Sequence, residues 1–152
     1  MTQSTDTSKI ITVEIISFSY KRPLPANLFS HDDGRHGGGF VFDCRCLPNP
    51  GREDRFKAQT GLDTEVINYL SVLPEVSTFK DHAFGLVSNA IDNYLARGFQ
   101  FISVGFGCTG GQHRSVFMTE QLSLHISRTF PQTVSTKVVH SNLDGSGRPK
   151  GA

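Results

Sequence analysis

Apolar and polar positions change period several times along the chain, and each change marks an element. From Ile10 to Phe18 apolar residues alternate at Ile11, Val13 and Ile15 before the run Ile15-Ile16, which predicts a strand leading into Ser17-Phe18-Ser19-Tyr20-Lys21. Residues 22–39 hold Pro23, Pro25 and Gly37-Gly38-Gly39 and read as a loop long enough to act as a lid. A second strand is expected over Phe40–Cys46, stopped by Leu47-Pro48-Asn49-Pro50 because proline has no amide hydrogen for a ladder. After a charged loop from Gly51 to Thr60, Thr60-Gly61-Leu62-Asp63 reads as a turn with Asp63 as the N-cap of a short helix. Val66, Ile67, Leu70 and Leu73 share a face of that helix.

Pro74 suits the first position of a longer helix. Its apolar stripe runs Val76, Phe79, Ala83, Val87, Ala90 and Tyr94, is widened by Phe84, Ile91 and Leu95, and closes at Arg97-Gly98. A third strand, Phe101 to Phe106, feeds the turn Gly107–Gly111, and a helix follows over about 112–128. Its apolar residues fall on no single narrow face, so burial on more than one side is expected. Pro131 ends it, and Ser135–Val139 is the last strand. Strands alternating with helices predict an α/β fold: one domain over 10–143 with a small, mostly parallel sheet flanked by helices, a disordered stretch at 1–9 and a flexible tail at 144–152.

Composition narrows the setting more than the chemistry. The chain has 152 residues, with 15 Lys and Arg against 14 Asp and Glu, so bulk charge neither requires nor excludes nucleic acid. Three cysteines without a disulfide-scaffold spacing suit a reducing cytoplasm. No apolar run reaches the ~20 residues that span a bilayer, and the polar start lacks a signal peptide's apolar region, so a cytoplasmic protein without a membrane partner is expected. Cys44 and Cys46, two apart on the expected strand, would share a face as small hydrophobes, and with His31 and His36 they have no zinc-ligand spacing. No metal or cofactor is implied.

The chemistry gathers in Cys108-Thr109-Gly110-Gly111-Gln112-His113-Arg114-Ser115. Strand, glycine turn and helix start together form an anion cradle: glycines let amides point inward, and a helix opens with unpaired N–H groups at the positive end of its dipole. Lys21, Arg45, Cys108 and His140 all follow predicted strands, so a parallel sheet would bring them to its carboxyl rim. Two rival readings stay open. Cys108 to Ser115 also fits the C-x-x-G-x-x-R-S loop of cysteine-dependent phosphatases, although Gly107 stands where those enzymes usually have His and neither Asp43 nor Asp144 lies in a recognisable acid loop. Alternatively, the glycines serve tight strand–helix packing.

Five blocks in order resemble one family. Ser17–Lys21, Phe42–Pro50, Thr60–Asp63, Gly107–Val116 and Val138–His140 are similar to the C-terminal domain of RapZ, the RNase adapter of bacterial amino-sugar regulation, over roughly residues 11–143. The resemblance implies a regulatory or accessory domain that binds glucosamine-6-phosphate and, in some members, contacts a small regulatory RNA; an RNA-binding adapter without a small-molecule ligand is the alternative within it. The phosphate would lie on Cys108, Thr109, Gly110, Gly111, His113, Arg114 and Ser115, with Ser17, Lys21, Arg45 and Asn49 on the sugar side. Full-length members carry a preceding P-loop domain. This chain has no G-x-x-x-x-G-K-[ST], so ATP or GTP binding is not carried over, and whether a nucleotide-binding partner chain exists stays open. Gly51 stands where the family often has an aromatic residue or His, 26–39 reads as an insertion, and the basic tail is reduced to Arg148 and Lys150.

Overall fold

The computed structural model describes residues 10–26 and 36–150. The strands β1 (Ile11–Ser19), β2 (His36–Asp43), β3 (Phe101–Cys108) and β4 (Val134–His140) form one all-parallel sheet in the order β2-β3-β1-β4. Helices α1 (Thr64–Ser71) and α2 (Pro74–Arg97) connect β2 to β3, and α3 (Arg114–Thr129) connects β3 to β4. This is the small parallel α/β domain that the alternation predicts. No helix among the described residues is long and apolar enough to cross a membrane.

The core lies between helices and sheet. Val13 and Ile15 of β1 sit beside Ile102 and Val104 of β3 in register, and all four join one buried cluster with Val87 and Ile91 of α2 and Met118, Leu122 and Ile126 of α3. Pro74 opens α2, and Gly98 closes it in a left-handed conformation (φ 78°) that returns its amide to Leu95 and Tyr94. Every residue from Arg114 to Thr119 is buried, the many-sided burial expected of α3.

Several boundaries differ from the sequence reading. β2 starts at His36, so the glycine run lies inside the strand rather than in the loop. Gly38 and Gly39 adopt positive φ (105° and 150°) at a register shift against β3, and a Cβ at Gly39 would collide with the Ser103 backbone. Because β2 ends at Asp43, Cys44 and Cys46 do not share a strand face: Cys44 is buried and Cys46 exposed. β3 runs two residues further, to Cys108, and α3 begins at Arg114. Residues 27–35, half of the lid expected at 22–39, lie outside the described residues. Residues 144–150 fold back as a turn, in which Asp144 Oδ1 accepts from the amides of Ser146 and Arg148 and the Lys150 amide bonds to the Asn142 carbonyl.

Candidate anion-binding site

β1 and β3 end side by side, with Ser19 paired to Cys108, so the turn after Cys108 leaves from the middle of the carboxyl rim. Its neighbours require small residues. A Cβ at Gly107 would stand 2.5 Å from the Tyr20 ring and 2.6 Å from that of Phe18. Gly111 has φ 67°, and a Cβ there would lie 2.6 Å from Asn142 Oδ1. Gly110 faces open space. Ser19 Oγ donates to the Thr109 carbonyl at 2.6 Å. From the other side Gln112 Nε2 donates to the carbonyls of Lys57 (2.9 Å) and Gln59 (2.7 Å), while the Gln112 carbonyl accepts from the Gly61 amide at 2.9 Å.

Held this way, the turn directs its carbonyls into the protein and keeps its amides uncommitted. From Thr109 through Val116 no backbone N–H finds an acceptor among the described residues. The first turn of any helix has such donors, and here the N-cap His113 satisfies none of them with its side chain. A run of free amides at the positive end of a buried helix attracts an anion.

Thr109, Gly110, Gln112, His113 and Arg114 of this run border a cavity of about 190 Å³, whose lining also includes Lys21, Asn49 and Cys108. Lys21 is exposed, and its ammonium has no partner among the described residues. Asn49 Oδ1 accepts from the Gly51 amide at 2.9 Å, which leaves its Nδ2 as a donor. His113 is buried with Nε2 2.8 Å from the Phe56 carbonyl. A carbonyl can only accept, so the hydrogen is on Nε2 and Nδ1 is left as an acceptor. Burial holds the His113 pKa below its usual value of 6.5. It is therefore a neutral acceptor, not a cation.

Arg114 is only 4% exposed and divides its guanidinium between two tasks. Nη1 donates to the carbonyls of Arg45 (3.0 Å) and Leu47 (2.9 Å), which straps the loop after β2 to the start of α3. Nη2 lies 3.5 Å from Thr109 Oγ1, and the buried Nε has no partner. A ligand that displaces the long Thr109 contact would meet Nη2.

A second cavity of about 700 Å³ adjoins the first and shares Asn49, Thr109 and Arg114 with it. Arg52, Glu53, Tyr69 and Glu75 also line it, so carboxylates as well as cations face this space. Arg45 borders this cavity, but its fork is engaged: Nε and Nη2 bond to the Asp43 carboxylate at 2.9 and 2.6 Å, and the guanidinium lies 4.1 Å above the Tyr20 ring. The Arg45 hydrogen bond holds the Asp43 carboxyl below its usual range.

Three expected site residues border neither cavity. Ser17 is fully buried, with Oγ 2.7 Å from His140 Nδ1, and His140 Nε2 is 2.7 Å from Glu120 Oε1. Ser115 is buried and accepts from Cys108 Sγ at 3.1 Å. Gly111 acts through its backbone. Gln112, Glu53 and Glu75 were not singled out from the sequence. Their one signal was position: Gln112 inside the turn, Glu53 after the Pro-Gly turn, and Glu75 after the proline that opens α2.

Known proteins align with the whole of this framework. A nucleotide-binding protein of Psychrobacter sp. (strain PRwf-1) is 34% identical over 130 residues, covering 86% of this chain and 38% of the relative. One from Acidothermus cellulolyticus is 32% identical over 142 residues (92% of this chain, 42% of the relative), and one from Thermotoga petrophila 38% over 117 residues (77% and 38%). The chain thus spans about two fifths of the length of these relatives. The family model described as the RapZ C-terminal domain matches residues 11–144, from the first residue of β1 to the turn beyond β4. The chain belongs to the RapZ C-terminal domain family.

Proposed function

We propose that this chain is a regulatory domain that binds a phosphorylated amino sugar of the glucosamine-6-phosphate type at the carboxyl rim of its sheet. The observation that carries this reading is the uncommitted amide run from Thr109 to Val116 beside the Lys21 ammonium and Arg114, whose buried Nε has no partner. The phosphate sits on the amides. Asn49 Nδ2 and His113 Nδ1 offer one donor and one acceptor to sugar hydroxyls. Glu53 and Glu75 of the adjoining cavity suit an ammonium group. A nucleotide-binding partner, in the same or another chain, would receive the signal. Contact with structured RNA would add a steep salt dependence.

The test is a thermal-shift and calorimetric panel of glucosamine-6-phosphate, glucose-6-phosphate, glucosamine and inorganic phosphate. The amino-sugar phosphate should stabilise the protein most and glucosamine least, and Lys21→Ala should weaken every phosphorylated ligand. Equal responses to glucosamine and its phosphate would overturn the reading.

One observation favours a second reading, phosphate-ester hydrolysis: Cys108 Sγ is 3.1 Å from Ser115 Oγ at the spacing of a phosphatase loop. The leaving group would lack an acid, because Asp43 is held by Arg45 and Asp144 caps its own turn. Turnover of an aryl phosphate that disappears in Cys108→Ser would establish it over the first.

A further inference from the structure

The carboxyl ends of β2 and β3 bring two cysteines together behind the cradle. The Cys44 amide donates to the Gly107 carbonyl at 2.7 Å, the bond that closes the Asp43–Gly107 pair at the end of the ladder, so Cys44 and Cys108 are the next residues on two neighbouring chains. Both are buried in the same cluster against the helices, at 0% and 2% exposure. Adjacent strands run about 4.8 Å apart, within the Cα separation of about 4.4–6.8 Å that a disulfide bridges. The two thiols differ in access. Cys108 lines the cradle cavity, which opens to water at the Lys21 rim, whereas Cys44 lies behind it.

We propose that Cys108 and Cys44 are a peroxide-oxidised pair, with Cys108 the attacked thiol and Cys44 the thiol that resolves it. Cys108 sulfur, as the thiolate, attacks one oxygen of hydrogen peroxide: an S–O bond forms, the O–O bond breaks, and the departing hydroxide takes a proton to become water. Cys44 sulfur then attacks the resulting sulfenic acid. An S–S bond forms, the S–O bond breaks, and hydroxide leaves with the Cys44 proton as a second water. Two thiols are oxidised and one peroxide reduced. Ser115 Oγ, 3.1 Å from Cys108 Sγ, can donate to the thiolate that starts the sequence. Burial pushes the Cys44 thiol well above its usual pKa, so it carries the proton that leaves in the second step. Exposed Cys46 borders the outer cavity and is not required. Disulfide formation draws the Cys108 sulfur away from Ser115, and an anion seated in the cradle shields Cys108. That last consequence alone rests on the proposed ligand site.

The experiment treats the reduced, full chain with hydrogen peroxide and follows intact mass and peptide maps. The expected result is loss of two hydrogens, a Cys44–Cys108 linked peptide, reversal by dithiothreitol, and the same linkage in Cys46→Ser. In Cys44→Ser the Cys108 sulfenic acid should persist and be trapped by dimedone. A Cys44–Cys46 linkage, or no linked peptide in a Cys46→Ser protein of unchanged circular dichroism, overturns the proposal. Saturating inorganic phosphate should slow the reaction several-fold. If the disulfide forms at the same rate with and without phosphate, the cysteine pair stands and the anion site in the cradle falls.

Discussion

Arg114 Nη1 and the Leu47 carbonyl oxygen lie 2.9 Å apart, and the same nitrogen reaches the Arg45 carbonyl at 3.0 Å. The residue with the strongest claim on an anion is thus also a strut between the loop after β2 and the start of α3. Hydrogen bonds from a charged group contribute about 1.5–3 kcal/mol, so Arg114→Ala should lower the urea-unfolding free energy by at least that much as well as weaken phosphate binding. Arg114→Lys keeps the charge but cannot span both carbonyls and still present an edge to a ligand. It should recover part of the stability and little of the affinity. Arg114→Ala with unchanged stability would remove the strut.

Two glycines of the site should behave in opposite ways. A Cβ on Gly61 would lie 2.5 Å from the His113 carbonyl oxygen and 2.5 Å from the Phe117 amide nitrogen, both held by the first turn of α3. Backbone cannot yield as a side-chain tip can, so Gly61→Ala should cost about 1–3 kcal/mol in chemical denaturation. Gly110 meets nothing within 4 Å, so Gly110→Ala should leave the melting temperature nearly unchanged and lower phosphate affinity by crowding the cradle.

The fold was largely legible because its signals are local and strong. The α2 stripe, Pro74 and Gly98 specify that helix without help from the rest of the chain. The start of β2 was not legible, because Gly37-Gly38-Gly39 has the composition of a loop and becomes a strand only by pairing with β3. The cradle could be read from its glycines and helix start. What could not be read is how its side chains are spent. Nothing in the sequence says that Ser17 is enclosed by His140 and Glu120, since those partners meet only when strands and helix assemble, and the Asp43–Arg45 pair, two residues apart, depends on the turn the chain takes after β2.

Acid should destabilise the protein partly through His113. Its pKa is lowered by burial below the usual 6.5, so the unfolded chain binds more protons than the folded one as pH falls through 6.5. Stability contributed by the neutral ring is present above that pH and declines below it, until the folded pKa is passed. His125 shifts the same way through burial and adds to the slope. In urea titrations from pH 7.5 downward, His113→Gln should flatten the decline without abolishing it. An unchanged slope would mean that the ring is not held neutral.

Ser17, His140 and Glu120 form a chain of two 2.7 Å contacts joining β1, β4 and α3. A carboxylate only accepts, so His140 Nε2–H donates to Glu120, and Nδ1 shares the second bond with the enclosed Ser17 hydroxyl. Ser17→Ala removes the partner of Nδ1 on the side of the fully buried Ser17, a loss of about 1–3 kcal/mol. Replacing both residues with Ser17→Ala and His140→Phe removes both polar groups at once and should cost less than the sum of the single changes, with a coupling on the order of 1 kcal/mol. Since Ser17 borders neither cavity, Ser17→Ala should leave phosphosugar affinity unaltered at a temperature well below unfolding. A fall in affinity without a fall in stability would instead place the hydroxyl at the ligand, which requires β1 and β4 to separate at their carboxyl ends when the site fills.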